Sequence, residues 1–168
     1  LGSSVLRIAR LLCSHIIVAC RTDSKLEDAR HNGASHTINV LKEDLEEKVM
    51  EYTKGHGATV SMDAANAGDS LSSLLKATGN AGRVMVMGLT AAATQINPFL
   101  ITAKELDVRG SRLQNHMFGT AIELICKGKL NLTGSVSHTF PLTKAQEAFD
   151  LIDSHDPAVR KVVLTFDF

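Results

Sequence analysis

Short apolar runs alternate with helix-patterned segments along most of this chain, and that alternation limits its fold more than any other feature. Residues 16–19 form a continuous apolar run, Ile-Ile-Val-Ala, without the in-and-out alternation of a half-exposed strand. Such a run suits a strand covered on both faces. Asp23 follows where a helix N-cap belongs, its carboxylate able to accept an amide proton of the first turn, and Gly33 stands where that helix should stop. The order then repeats. Residues 36–40 read as a short strand, 43–53 as a helix, 57–63 as a strand ending in the acidic Asp63, and 70–77 as a helix. Gly79 and Gly82 bracket a turn before the buried strand 83–88, and 106–109 is one more strand after the segment 98–103. Ahead of all this, residues 3–12 keep Val5, Leu6, Ala9 and Leu12 near one face, as a packed helix requires. Strands separated by helices join through right-handed crossovers, so the expected sheet is parallel, with helices on both faces.

Beyond residue 115 the pattern continues as a helix over 115–127, a polar stretch to Ser135, a strand near 138–140, a helix over 143–152 and a closing strand at 161–166. Thr143 and Glu147 approximate a capping box, at a spacing of four instead of three. A boundary at Gly128 divides the chain into 1–128 and 129–168.

Composition removes several function classes. Eighteen basic residues balance eighteen acidic ones, and no run of like charge could follow a phosphate backbone or an anionic membrane. With 4% aromatic residues and no Trp, the chain also lacks a platform for stacked bases. Neither nucleic acid nor membrane is expected as a partner, and the apolar runs are too short to span a bilayer. The start of the chain lacks the pattern of a signal peptide, and a cytoplasmic protein is expected. Cys13, Cys20 and Cys126 form no CxxC pair, the seven histidines are scattered, and HExxH is absent, so no metal site is expected within these residues.

Taken together, a series of motifs resembles the medium-chain dehydrogenases, and within them the zinc-type alcohol, polyol and threonine dehydrogenases. In order they are Lys25-Leu26-Glu27 with Ala29 and Gly33-Ala34, Met62-Asp63-Ala64, Gly82-Arg83-Val84, Met87-Gly88-Leu89, Lys104-Glu105-Leu106, Gly110-Ser111-Arg112, Phe140-Pro141-Leu142, residues 145–149, and residues 161–165. None decides the matter alone, but the order and spacing cover essentially the whole chain.

The resemblance implies an α/β fold of the Rossmann type: a doubly wound parallel sheet, here lacking its first strand, followed by a C-terminal return segment. Residues 1–128 would be the NAD(P)-binding domain and 129–168 the return toward a catalytic domain. Gly2 looks like the third glycine of the GxGxxG turn, with the first two glycines and their strand absent. That strand is central in the family's sheet, and burying some five aliphatic side chains is worth on the order of 10 kcal/mol. The chain is therefore expected to be a piece of a longer enzyme, inactive alone; Leu1, where a start would carry Met, points the same way.

The family also implies which residues meet the coenzyme. Cys20 stands where NAD-preferring relatives carry an acidic residue on the ribose hydroxyls, and Arg21, with Lys25 nearby, could pair with a 2′-phosphate. NADP is thus expected over NAD. Ala65 and Asn66 would lie on the nicotinamide side, Met87, Gly88 and Leu89 would offer backbone groups to the carboxamide, Ser111 and Arg112 would line the nicotinamide edge, and Lys161 would meet the pyrophosphate. Other readings stay open at some positions: Cys20 as a small buried filler, Arg112 and Lys161 as solvated surface charges.

The implied activity is hydride transfer between an alcohol or polyol and NAD(P). Zinc, as Lewis acid, would sit in the catalytic domain that is not included, so no residue of this chain is assigned as catalytic or as a metal ligand. A zinc-free quinone or enoyl reductase of the same superfamily, or a non-catalytic nucleotide-binding module, are the alternatives. Relatives commonly pair sheet edges, so homo-oligomerisation through the strand preceding residue 115 is expected.

Overall fold

The computed structural model describes residues 1–113, 115–154, 156 and 158–166. They gather into two compact units, Leu1–Phe118 and Gly119–Phe168. In the first unit, helices and strands alternate as the sequence pattern requires: α1 (Gly2–Ala9), β1 (Ile17–Cys20), α2 (Asp23–His31), β2 (His36–Asn39), α3 (Leu45–Tyr52), β3 (Ala58–Asp63), α4 (Ser70–Ala77), β4 (Thr78–Val86), α5 (Pro98–Ala103) and β5 (Asp107–Gly110). Helix α6 (Phe118–Cys126) opens the second unit, whose strands β6 (His138–Pro141) and β7 (Val162–Thr165) pair in parallel beside α7 (Ala145–Asp153).

Every ladder is parallel. β1 pairs with β2 over Ile17↔His36 to Cys20↔Asn39, while β3, β4 and β5 form a three-stranded ladder in that order. Among the described residues, β1 pairs only with β2, and β3 only with β4. One apolar cluster nevertheless joins the two ladders. Ile38 of β2, Val49 of α3 and Ala77 of α4 are buried together, with Ile17 of β1 and Ala58 of β3 packed against them. A second cluster of Leu75, Val84 and Leu106 seats α4 and the approach to β5 on the three-stranded ladder.

Local polar chemistry secures these elements. Helix α4 ends in β4 with no intervening loop, so its last carbonyls need donors. Lys104 supplies them: its Nζ donates to the Thr78 carbonyl at 2.9 Å, to that of Lys76, and to that of Leu75 at 3.4 Å. Asp44 caps α3 by accepting from the Glu47 amide at 2.8 Å. Gly33 follows the C-cap Asn32 of α2 with φ +93, the left-handed conformation that glycine adopts without strain.

Three local expectations are corrected. Asp23 is not an N-cap: Thr22 holds that position, and the Asp23 carboxylate accepts from Asn39 Nδ2 at 2.5 Å and Lys42 Nζ at 2.7 Å. Asn39 is buried, so its amide group must find an acceptor, and an ammonium is a stronger partner than a helix amide. Gly79 and Gly82 lie within β4, not ahead of it, at an irregularity where Ala58 pairs with Thr78 and Val60 already with Arg83. The approximate capping box at Thr143 is not made, because residues 142–144 form a 3-10 turn and α7 starts at Ala145. No helix among the described residues is long and apolar enough to cross a membrane.

Hydrogen bonds from Lys42, first, and then Asn39 hold the Asp23 carboxyl below its ordinary value of 3.8. Its contribution to stability is therefore present above that value and lost as pH falls through the lower folded value. Asp23→Asn is expected to be less stable than wild type near about pH 6, with the difference shrinking as pH falls below 3.8, by urea denaturation across that range. A difference that persists at the acid end would remove the ion pair as its source.

Candidate functional site

The carboxyl ends of β3, β4 and β5 finish level, because Asp63 pairs with Val86 and Val86 with Gly110. In a parallel α/β sheet that edge is where ligands bind, since the loops leaving the strands diverge there. Asp63 closes β3 with its side chain 2% exposed and both carboxylate oxygens used. Its Oδ1 accepts from the amides of Ala65 (3.1 Å) and Asn66 (2.7 Å), and its Oδ2 from Ser70 Oγ (2.8 Å). The Asp63 carbonyl accepts from the amides of Met87 (2.9 Å) and Gly88 (3.0 Å), the two residues that follow β4.

The two turns leaving these strands are also joined directly. Asn66, at φ 46, donates from Nδ2 to the Gly88 carbonyl at 3.1 Å. Gly88 is packed so tightly that a Cβ there would stand 2.6 Å from Asn66 Cβ and 2.7 Å from backbone atoms of residues 65 and 66. Only glycine permits that approach. Ser111, just past β5, donates its amide to the Val86 carbonyl at 2.9 Å, and the exposed Arg112 follows it. Gly2, the first residue of α1, faces the same turn: a Cβ built there would lie 3.9 Å from Ala64 Cβ, an ordinary contact.

Of the residues singled out from the sequence, this edge gathers Gly2, Ala65, Asn66, Met87, Gly88, Ser111 and Arg112, with Leu89 exposed at the outer side of its turn. Cys20, half-buried, and Arg21, exposed, close the other ladder at the end of β1, and Lys25 is exposed in the first turn of α2. Neither Arg21 nor Lys25 forms an ion pair with a described residue, which leaves both cations available to an anion. Lys161 belongs to the second unit, immediately before β7, where its carbonyl accepts from the amides of Ser137 and His138. Asp63, the end of a strand and part of the motif Met62-Asp63-Ala64 in the sequence, is given no site role by that pattern. The signal that could have found it is a carboxylate at the carboxyl end of a strand in a parallel sheet, where a buried ionised group needs several donors.

A second group of charges lies at the amino end of β5 and serves packing between strands. Asp107 accepts from Arg109 at 2.8 Å and Arg83 at 3.1 Å, and these two hydrogen bonds, Arg109's the larger, hold its carboxyl below the usual range. Among the described residues no three of His, Cys, Asp or Glu stand together as a bound metal ion would need. A set of ligands for a zinc ion is therefore not found among them. What the edge offers is a set of backbone groups at the carboxyl ends of parallel strands, beside the amino end of a helix. That combination suits an extended anionic cofactor.

Comparison with known proteins agrees with this geometry. A family model described as zinc-binding dehydrogenase matches residues 1–127. The starvation-sensing protein RspB of Escherichia coli (strain K12) is 32% identical over 152 residues, covering 90% of this chain and 44% of that protein. D-arabitol-phosphate dehydrogenase of Enterococcus avium is 30% identical over 156 residues, again 90% and 44%. Among solved structures, an alcohol dehydrogenase (rspB) from E. coli CFT073, complexed with NADH, superposes with a TM-score of 0.90 at 29% identity, over 98% of this chain and 49% of that one. The chain thus spans less than half the length of each of these proteins, and its parallel α/β fold is that of their coenzyme-binding part.

Proposed function

This chain belongs to the zinc-binding dehydrogenase family, and from that premise we propose that it forms the coenzyme-binding part of a zinc-dependent dehydrogenase moving hydride between an alcohol or polyol and a nicotinamide dinucleotide. The observation that carries the reading is the level edge of β3, β4 and β5, where the turns at 64–66 and 87–89 are locked to each other through Asp63 and Asn66. The NADH found in the E. coli relative of the same fold supports a nicotinamide coenzyme. When bound, that coenzyme supplies the hydride acceptor or donor; the residues of this chain hold and orient it.

On this reading Gly2 and the amino end of α1 approach the pyrophosphate. Ala65, Asn66, Met87, Gly88, Leu89, Ser111 and Arg112 surround the nicotinamide half, and Cys20, Arg21 and Lys25 surround the adenosine ribose. Residues 1–128 bind the coenzyme and 129–168 return toward a catalytic domain whose residues hold the zinc. Two copies pair through the edge of β5, which has β4 as its one ladder partner among the described residues. A cytoplasmic location fits the three free cysteines. Titration of the whole protein with NADH and NADPH, followed by the quenching or enhancement of nicotinamide fluorescence, tests the reading; binding of neither coenzyme overturns it.

The coenzyme preferred in this reading is NADP. Cys20 brings no negative charge to repel a 2′-phosphate, and Arg21 is exposed with no ion-pair partner among the described residues. A charge-assisted hydrogen bond is worth about 1.5–3 kcal/mol. Arg21→Ala is therefore expected to weaken NADPH by about tenfold or more while leaving NADH within about twofold, by parallel titrations. Equal NADPH affinity in variant and wild type overturns the choice of NADP.

A further inference from the structure

We infer that Asp63 is a positioning residue for the nicotinamide end of the coenzyme; this rests on the coenzyme reading above. The residue sits behind the two turns proposed to frame the ring and contacts both. Through Oδ1 it holds the amides of Ala65 and Asn66, and through its carbonyl those of Met87 and Gly88. Four amides from two separate turns thus converge on one residue. Oδ2 is held by Ser70 Oγ, which in turn accepts from the Ala67 amide at 3.0 Å, so the carboxylate is tied to the start of α4 as well.

A buried carboxylate is an expensive way to close a strand. At 2% exposure it has given up its water, and no ion pair with a cation offsets that loss among the described residues. Its donors are two backbone amides and one hydroxyl, aimed by the turn it organises. These bonds hold residues 64–66 in a turn with Asn66 at φ 46, an uncommon backbone region for a residue with a side chain. Asn66 fixed in this way reaches the Gly88 carbonyl, and Gly88 is then pinned at both its amide and its carbonyl. Backbone groups that meet a coenzyme ring must be held to within a fraction of an ångström, because small misplacement weakens binding and slows transfer. Asp63 acts on the ring through these groups and not by touching it.

The test compares a ligand that carries the ring with one that lacks it, on the whole protein. NADH or NADPH, whichever binds more tightly, is titrated against Asp63→Ala and wild type, beside ADP-ribose or its 2′-phosphate, which keep both riboses and the pyrophosphate and lack only the nicotinamide ring. Leaving two amides and a hydroxyl without acceptor is expected to weaken the full coenzyme by about tenfold or more and leave the ribose fragment within about twofold. Asp63→Asn keeps an oxygen for both amides and is expected to return coenzyme binding to within about threefold of wild type. Ser70→Ala, which removes one contact at the start of α4, gives the same comparison with a smaller loss should Asp63→Ala fail to fold. Equal weakening of both ligands, or of neither, overturns the inference while the coenzyme reading stands. A wild type that binds neither ligand overturns the coenzyme reading and the inference with it.

Discussion

Gly79→Ala is expected to lower stability by about 3 kcal/mol and to lower the urea midpoint by about 1 M or more. A Cβ at residue 79 would run into the His56 carbonyl oxygen and lie 3.2 Å from its carbon, and both atoms belong to backbone that cannot swing away as a side chain can. The position is buried, and it stands in the irregular stretch of β4 where one residue of β3, Thr59, faces the four residues 79–82. That stretch brings Val86 opposite Asp63 and so levels the carboxyl ends of the two strands. A shift there disturbs the bonds from Met87 and Gly88 to the Asp63 carbonyl as well, so coenzyme binding should weaken together with stability. Gly119→Ala is the control, since a Cβ at that position in α6 meets nothing within 4 Å and Ala favours a helix. Comparable losses in the two variants would show that the close approach is not the cause.

Leu75→Ala should remove about 2–5 kcal/mol, the usual cost of losing a fully buried leucine and leaving a cavity. Leu75 is 0% exposed and packs with Val84 of β4 and Leu106, which is how α4 is held to the sheet. The same helix begins at Ser70, whose hydroxyl anchors the Asp63 carboxylate, so loosening α4 reaches the edge of the site. Leu12, 82% exposed, makes a fair comparison, and its Ala variant is expected within about 0.5 kcal/mol of wild type. Urea denaturation of the whole protein measures both. A Leu75 variant as stable as the Leu12 variant would mean that this cluster does not hold α4 to the sheet.

Much of the fold is legible from periodicity because strands and helices space their apolar residues differently. The apolar stretches in 16–19 and 83–88 do fall mainly on parallel strands, but β4 begins earlier, at Thr78, and β1 is not covered on both faces as expected, since none of its residues is buried and Ala19 is exposed. The bounds of α4 at Ser70 and Ala77 agree to the residue, since Asp69 precedes a clean helical stretch and Thr78 enters a strand at once. Capping is where local reading fails. Neither Asp23 nor Thr143 caps its helix, because Asp23 is drawn to partners on and just after β2 and Thr143 lies in a 3-10 turn, while the cap of α3 is made by Asp44, which the sequence pattern does not single out. Those partners are distant in sequence, 16 and 19 residues away, and no local pattern reports them.

The candidate site divides in a similar way. Motif order pointed to Ala65, Asn66, Met87 and Gly88 as separate places along the chain. That Gly88 packs against Asn66 Cβ and the backbone of residues 65 and 66 depends on strand register. Asp63 shows the limit most clearly, since its five hydrogen-bond donors come from residues 65, 66, 70, 87 and 88. Lys104 is another case: its place in a recognisable tripeptide could be read, but its bonds to the end of α4 could not.

By itself, then, the amino-acid sequence determined the alternation of strands and helices, the parallel sense of the ladders and the family, because each rests on the spacing and order of residues near one another in the chain. Tertiary structure alone decided the register of β3 against β4, the convergence of two turns on Asp63, and the pairing of Asp23 with Asn39 and Lys42. The physical reason is the range of the forces concerned. Hydrophobic periodicity is written locally, whereas a hydrogen bond is satisfied by whichever donor the folded chain brings within about 3 Å.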